Sequence, residues 1–436
     1  MPFSKSPEST DRLVLSEVPA NGASSLRPVT KRVAVLRDVL VVAALSLLFL
    51  GLAECALRAA GLKFEGSFYT SDPELGYALR PNAQGWNISE NVDYFQVNSD
   101  GLADREHSLQ RPPGVIRIAM VGDSVTEAKH VTREQAYWGV MEQVLNSRLA
   151  KNRQRVEVIN FGVAGYGLAQ ESIVIQKRVW KYDPQIIVLA GTIESFVLRS
   201  TRRLTPSKAC EHVPFYVLKN GELAPDPQPA EQEQFCGNEG ELHKVEGDMM
   251  NAIRLLGLVG EGLEKAKEKM RAELNNGRKV QPVENPNFKE TDSFLGPASP
   301  DLKAAWDVSE ALILRSRDAA RQHHAEFWFF TLDMPEQVDP DSRKRADFGR
   351  SLGLKDLFLT DHLFANFAAS ESIQHGTLAP GLLAFAEKNN AILHGFPGLP
   401  QNQGHWNQTG HRVAGEMMAR QLLESSPLLA SPLPAE

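Results

Sequence analysis

From Val39 to Ala53 the chain reads VLVVAALSLLFLGLA without a charge, and apolar character resumes in CALRAAGL. Residues 39–62 therefore suit a membrane-spanning helix, which takes about 20 residues. Glu54 and Arg58 stand four apart on one helix face, where they can pair near an interface. Residues 63–114 follow as a Pro-, Asn- and Asp-rich stretch with scattered aromatics, as in FYTSDPELGYALRP, and read as an irregular collar. The period then changes. VIRIAMVG (115–122) is a compact apolar strand, followed by a helical pattern around REQAYWGVMEQVLNSRLA. VEVINFG (156–162) is a second strand, and the helical AQESIVIQKRVWKY leads to a third, QIIVLAG (185–191).

Residues 201–300 interrupt that rhythm. They are charged and Pro-rich, with one helical run near NAIRLLGLVGEGLEKAKEKMRAEL. LKAAWDVSEALILRSRDAARQ then reads as helix and AEFWFFTL (325–332) as a fourth buried strand. APGLLAFAEKNN and AILHGF supply another helix and strand, and TGHRVAGEMMARQLLES a closing helix. Strands alternating with helices predict an α/β fold, a mostly parallel sheet flanked by helices in three layers of flavodoxin-like type. The long insertion 201–300 falls after its third strand.

The remaining organisation follows from composition. Residues 1–38 are rich in Ser, Pro, Lys and Arg without a sustained apolar period, which predicts a disordered tail. Residues 426–436 read as a second flexible tail. The first 38 residues carry a net +2 in a chain of net −7. Basic residues ahead of the apolar run leave the tail in the cytoplasm and residues 115–425 outside, which in a bacterium is the periplasm, the anchor lying in the inner membrane. A cleaved signal or a buried soluble helix are the alternatives, but no A-x-A-like site is evident. LAEC (52–55) resembles a lipoprotein site except that Glu54 stands where a small residue belongs. At 42% hydrophobic and 23% charged the chain is neither disordered throughout nor collagen-like, and it lacks the clustered basic face that nucleic acid requires. Three cysteines exclude a disulfide scaffold. An oxidising compartment would allow Cys210 and Cys236, in the insertion, to bond; two unrelated thiols are the alternative.

The candidate chemistry lies at strand ends. Gly122-Asp123-Ser124-Val125-Thr126 follows the first sheet strand directly, where open α/β sheets present side chains to ligand. A Ser on a tight turn opening a helix has an accessible hydroxyl and backbone N–H groups nearby for an oxyanion. Gly404-His405-Trp406-Asn407-Gln408-Thr409-Gly410-His411 precedes the closing helix. A neutral imidazole near a serine can take its proton and return it to a leaving group. His405 lies in the loop and His411 already in the helix, so His405 is the better placed. Asp361-His362 and His323-His324 lack a third ligand at convincing spacing, and neither metal nor cofactor is implied. Trp406 could stack on a sugar or pack the loop, and Asn87-Ile88-Ser89 is a glycosylation sequon.

These two segments resemble those of the SGNH hydrolase superfamily, the GDSL-type esterases and their acyltransferase relatives. The similarity covers roughly residues 115–200 and 305–425, and VNSDGLADRE (97–106) is similar to the segment before the domain in membrane-anchored bacterial members. The resemblance implies Ser124 as nucleophile, its N–H and that of Gly165 (in NFGVAG, 160–165) as oxyanion donors, Asn160 as a turn residue, and His405 as base. Two positions depart from the pattern. The family's Gly-x-Asn-Asp aligns with Gly191-Thr192-Ile193-Glu194, so Ile193 replaces an oxyanion-binding Asn. The family's acid lies two or three residues before the His, where this chain has Gln403 and Asn402. One lost oxyanion donor can cost about 3 kcal/mol of barrier and a missing triad acid ~10⁴ in rate. The expectation is an outward-facing, membrane-anchored esterase or O-acyltransferase acting on acyl, foremost acetyl, esters of envelope carbohydrate. The competing expectation is a degenerate, non-catalytic SGNH-fold protein that binds or assembles envelope polysaccharide.

Overall fold

The short, mainly apolar runs after residue 114 become strands, the central ones buried on both faces, which a sheet covered by helices on either side allows. The computed structural model describes residues 27–150, 154–205, 213–226, 249, 253–260, 262–263, 288–400 and 402–430. It divides into two compact units, Met1–Ala60 and Gly61–Glu436. Cys210 and Cys236 lie outside the described residues.

In the first unit a single helix, α1, runs Arg27–Ala59. Its stretch Val33–Ala59 is long and apolar enough to cross a membrane, with mean hydropathy 2.4, and side chains such as Leu47 and Phe49 are exposed. Arg58 Nε donates to Glu54 Oε1 at 2.7 Å. Residues 27–38, expected to belong to a disordered tail, are the start of this helix. Val33, Val35 and Leu36 extend the apolar run, and the one Pro of the stretch, Pro28, sits in the first turn, where a missing N–H costs no hydrogen bond.

In the second unit the collar 63–114 is ordered. It forms two antiparallel hairpins, β1 (Tyr69–Asp72) with β2 (Gly76–Leu79) and β3 (Gln84–Asn87) with β4 (Asp93–Gln96). Phe68 and Phe95 meet edge to face at 5.0 Å, and Leu75, Leu79 and Val97 join the main core. The aromatics that looked scattered in sequence converge because each hairpin turns its alternate residues inward.

The sheet has the order β11-β10-β7-β5-β6, from β5 (Val115–Gly122), β6 (Arg155–Asn160), β7 (Ile186–Thr192), β10 (Glu326–Leu332) and β11 (Gln374–Thr377). All its pairings are parallel. Alternate residues of β5 feed two cores: Ala119 and Val121 meet helices Leu168–Lys177 and Pro300–Gln322, while Ile116, Ile118 and Met120 meet helices Tyr137–Leu149 and Gln408–Ser425. The edge strand is β11, not AILHGF. In that segment His394 makes only an isolated bridge with Trp406. Its backbone holds the following loop instead, Gly395 N–H donating to His405 O at 2.9 Å and Asn407 N–H to Leu393 O at 2.9 Å. The insertion contributes the hairpin β8 (Tyr216–Lys219) and β9 (Glu222–Pro225), and a 3-10 turn at Glu290–Leu295.

Candidate active site

Sheet order reverses between β5 and β7, and a cleft opens at the carboxyl ends of those strands, the crevice expected of such a switch point. Its volume is about 360 Å³, and Ser124, Gly165, Thr192, Arg199, Glu336, Asn402 and His405 are among its walls.

Ser124 opens the short helix Ser124–Glu127, whose N-cap is Asp123; the Asp123 Oδ1 accepts the Val125 N–H at 2.9 Å. The cap carboxylate leaves the Ser124 N–H without an acceptor among the described residues, and the Gly165 N–H likewise. Gly165 has φ +81°, a left-handed conformation that favours glycine, and a Cβ there would lie 2.5 Å from Tyr77 Oη. The neighbouring Ala164 is held on both sides: its N–H donates to the buried Glu127 carboxylate and its carbonyl accepts from Tyr77 at 2.8 Å. Burial pushes Glu127 upward against the opposing effect of that backbone N–H. Asn160 makes the turn before this loop, its Oδ1 accepting the Gly162 N–H at 2.8 Å.

His405 lies with Nε2 2.7 Å from Ser124 Oγ. Its Nδ1 is 2.7 Å from Glu90 Oε1, and its backbone N–H donates to Glu90 Oε2 at 2.9 Å. The carboxylate requires the proton on Nδ1, which leaves Nε2 as acceptor for the serine hydroxyl. Burial raises Glu90, but the hydrogen bonds and charge of His405 outweigh it and hold the carboxyl below its usual range. Glu90 comes from the β3–β4 loop, in the stretch read as collar, and sequence reasoning missed it. The acid was sought at 402 and 403, next to His405. Asn402 instead donates Nδ2 to Pro335 O at 2.7 Å and to Asp339 Oδ2 at 3.2 Å, and Gln403 is exposed on the cleft wall. No local signal marks Glu90; the buried Asn87, at the end of β3, donates Nδ2 across the loop to Asn91 O at 3.0 Å. That contact occupies the amide of the sequon.

The loop around His405 is clamped from beneath. His394 places Nε2 2.8 Å from Asp333 Oδ2 and Nδ1 2.9 Å from Gly404 O, while the Trp406 indole donates to Asp333 Oδ1 at 2.8 Å. Both His394 nitrogens face acceptors, an arrangement that calls for the imidazolium. Burial works against the charge, yet Asp333 and the Gly404 carbonyl raise the His394 pKa. Trp406 is thereby a buried packing residue and offers no sugar platform. His411 is buried in the closing helix, with Nδ1 accepting the Tyr137 N–H at 3.2 Å, and burial lowers it to about 3.

Ile193 does not face the cleft. It is 1% exposed within the main core, so it occupies no oxyanion position. Thr192, beside it, caps the next helix and donates Oγ1 to Asp123 Oδ2 at 3.4 Å. Arg199 lines the same wall, its Nε bonded to Glu194 at 2.9 Å and its Nη1 3.4 Å from Gly165 O. Among the described residues, Glu90, His130 and His405 are the group whose atoms lie close enough for a metal ion. The two imidazoles, however, are stacked at 4.3 Å and 24°, so their ring planes run side by side instead of converging. His362 pairs with Asp356 at 3.1 Å, and His323 stacks on Trp180 at 3.9 Å.

No protein-family profile matches the chain, and no curated protein sequence does. Solved structures that align with it include an acetyl xylan esterase (14% identity, 70% of this chain and 98% of that one, TM-score 0.34). Another is a member of the lipolytic G-D-S-L family from Veillonella parvula (11%, 71% and 98%, 0.30). A third is a catalytic mutant of an acetylxylan esterase from Geobacillus stearothermophilus (10%, 71% and 93%, 0.34). The chain itself has a five-stranded parallel sheet between helices, with Ser124 just after β5 and His405 just before helix Gln408–Ser425.

Proposed function

We propose that the protein is a serine ester hydrolase or O-acyltransferase acting on small acyl esters, foremost acetyl, of an envelope carbohydrate. The observation that carries the reading is the relay of two 2.7 Å contacts, Ser124 Oγ to His405 Nε2 and His405 Nδ1 to Glu90 Oε1. As Ser124 Oγ attacks the ester carbonyl, His405 takes its proton and becomes an imidazolium facing the Glu90 carboxylate. The oxyanion forms beside the Ser124 and Gly165 N–H groups. Collapse expels the alkoxide, which His405 protonates, and leaves an acyl-Ser124. Water or a sugar hydroxyl then gives a proton to His405, attacks the acyl carbonyl and restores the serine. Location supports the substrate class: α1 is apolar enough to anchor the chain in an inner membrane, and the basic residues before it favour a periplasmic domain.

Incubating the detergent-solubilised full chain with a fluorophosphonate probe and with p-nitrophenyl acetate tests the reading. Labelling and turnover are expected in wild type, and neither in Ser124→Ala or His405→Ala. A folded wild type silent in both assays would leave the non-catalytic polysaccharide-binding reading in place.

A further inference from the structure

One wall of the cleft holds two buried acceptors that accept from nothing. Glu336 Oε2 and Asn402 Oδ1 are both shielded from solvent and without a hydrogen-bond partner among the described residues. Both residues line the same cleft as Ser124 and His405, and Asn402 is only 8% exposed. The orientation of Asn402 is settled, because its amide nitrogen already donates to Pro335 O and Asp339 Oδ2. A buried acceptor left unpaired costs about 1–3 kcal/mol, a penalty that a donor entering the cleft would remove.

The cations of this cleft are matched by other groups. Arg199 is held by Glu194 at 2.9 Å, and His394 has its two nitrogens on Asp333 and Gly404 O. Glu336 acts on the His394 charge only through space, and neither it nor Glu290, which also lines the cleft, has an ion pair within 4.0 Å among the described residues. An anionic sugar would meet these carboxylates directly. A neutral one could satisfy the orphaned oxygens through its hydroxyls but would leave the carboxylates without a counter-ion in contact. A protonated primary amine supplies both donors and charge, and charge-assisted hydrogen bonds are roughly twice as strong as neutral ones.

We infer that the Glu336–Asn402 wall selects acyl esters whose alcohol portion carries a protonated amine, an amino sugar with a free ammonium group being the class that fits. This inference rests on the esterase reading for its chemistry, but the ammonium preference can be read without turnover. The experiment compares 6-O-acetylglucosamine with 6-O-acetylglucose, which differ in an ammonium against a hydroxyl, at a pH where the amine is protonated. On the full-length protein in detergent, kcat/KM for the amino sugar should be higher by about tenfold, mainly through KM, equivalent to roughly 1.4 kcal/mol. Glu336→Gln should bring the ratio of the two esters towards one, and Asn402→Leu should lower it partway, each with an unchanged thermal melt. Calorimetry on Ser124→Ala, which cannot turn over, should show the same ratio in Kd. Equal binding of the two sugars to Ser124→Ala, binding of neither, or a preference that survives Glu336→Gln would overturn the inference. A preference in Kd with no hydrolysis in wild type would uphold it while removing the esterase reading.

Discussion

Glu90 stands to His405 as the expected neighbouring acid would have stood, although 315 positions separate the two. In the proposed mechanism its value is electrostatic: a carboxylate at 2.7 Å fixes the tautomer and would stabilise the imidazolium formed on attack. Glu90→Gln should therefore lower kcat for p-nitrophenyl acetate by about 10²–10⁴, with KM and melting temperature little changed. A loss below tenfold in steady-state kinetics would move the acid role elsewhere. Ile193 teaches the opposite lesson. Because its side chain is packed in the core, Ile193→Asn should destabilise the chain by about 1–3 kcal/mol in urea titration and give no rate gain.

At the scale of elements, the site is assembled from loops that rigid pieces hold. The β3–β4 loop is tied down by Asn87, by Asn91 Nδ2 donating to His130 O at 2.7 Å, and by the Ile88 N–H donating to Glu65 at 2.7 Å. Opposite it, the His394–Asp333 pair grips the residues on either side of His405. Gly404 is where the two loops touch. It has φ +78°, and a Cβ there would fall 2.6 Å from Glu90 Oε2. Gly404→Ala should thus be strained on both counts and push Glu90 away, with kcat falling by at least about tenfold while far-ultraviolet circular dichroism stays native. Full activity in that variant would show that the Glu90 contact is not needed.

For the whole molecule, the segment ahead of β5 is locked to the sheet by a buried ionic network. His107 lies 3.0 Å from Asp104 and 2.8 Å from Glu157 on β6; Arg117 Nε reaches Glu157 at 2.7 Å, and Arg133 Nε reaches Asp104 at 2.8 Å. Burial alone would lower His107, yet its two carboxylate partners raise it from 6.5 to about 9. The folded chain thus holds this proton more tightly than the unfolded one. The resulting stability is complete below about pH 6.5 and is lost as pH rises towards 9. Urea titrations across that window should show a decline on the order of 2–3 kcal/mol that His107→Gln flattens. Topology is the other whole-chain expectation. Alkaline phosphatase fused after Glu436 should be active in a bacterial host and a cytoplasmic reporter silent; the reverse pattern would turn the chain around.

What sequence alone determined are the features that repeat or run contiguously. An apolar run buried on both faces makes β5 the same stretch, 115–122, in sequence and in structure, because its neighbours in the chain suffice to specify it. The first four sheet strands, the apolar α1 and the Ser124 and His405 segments were legible for the same reason. Partnerships between distant segments were not. Nothing near Glu90 marks it as an acid for His405, since the pairing depends on how a hairpin folds against the sheet. AILHGF has a strand's composition but gives its backbone hydrogen bonds to the His405 loop, leaving the edge to QHGT at 374–377. The motif alignment likewise placed Ile193 at the oxyanion, whereas the helix it begins turns that side chain into the core. Local pattern decides which element forms; which side chains meet at the cleft is decided by packing across the sheet, where the driving force is burial and the contacts are long-range.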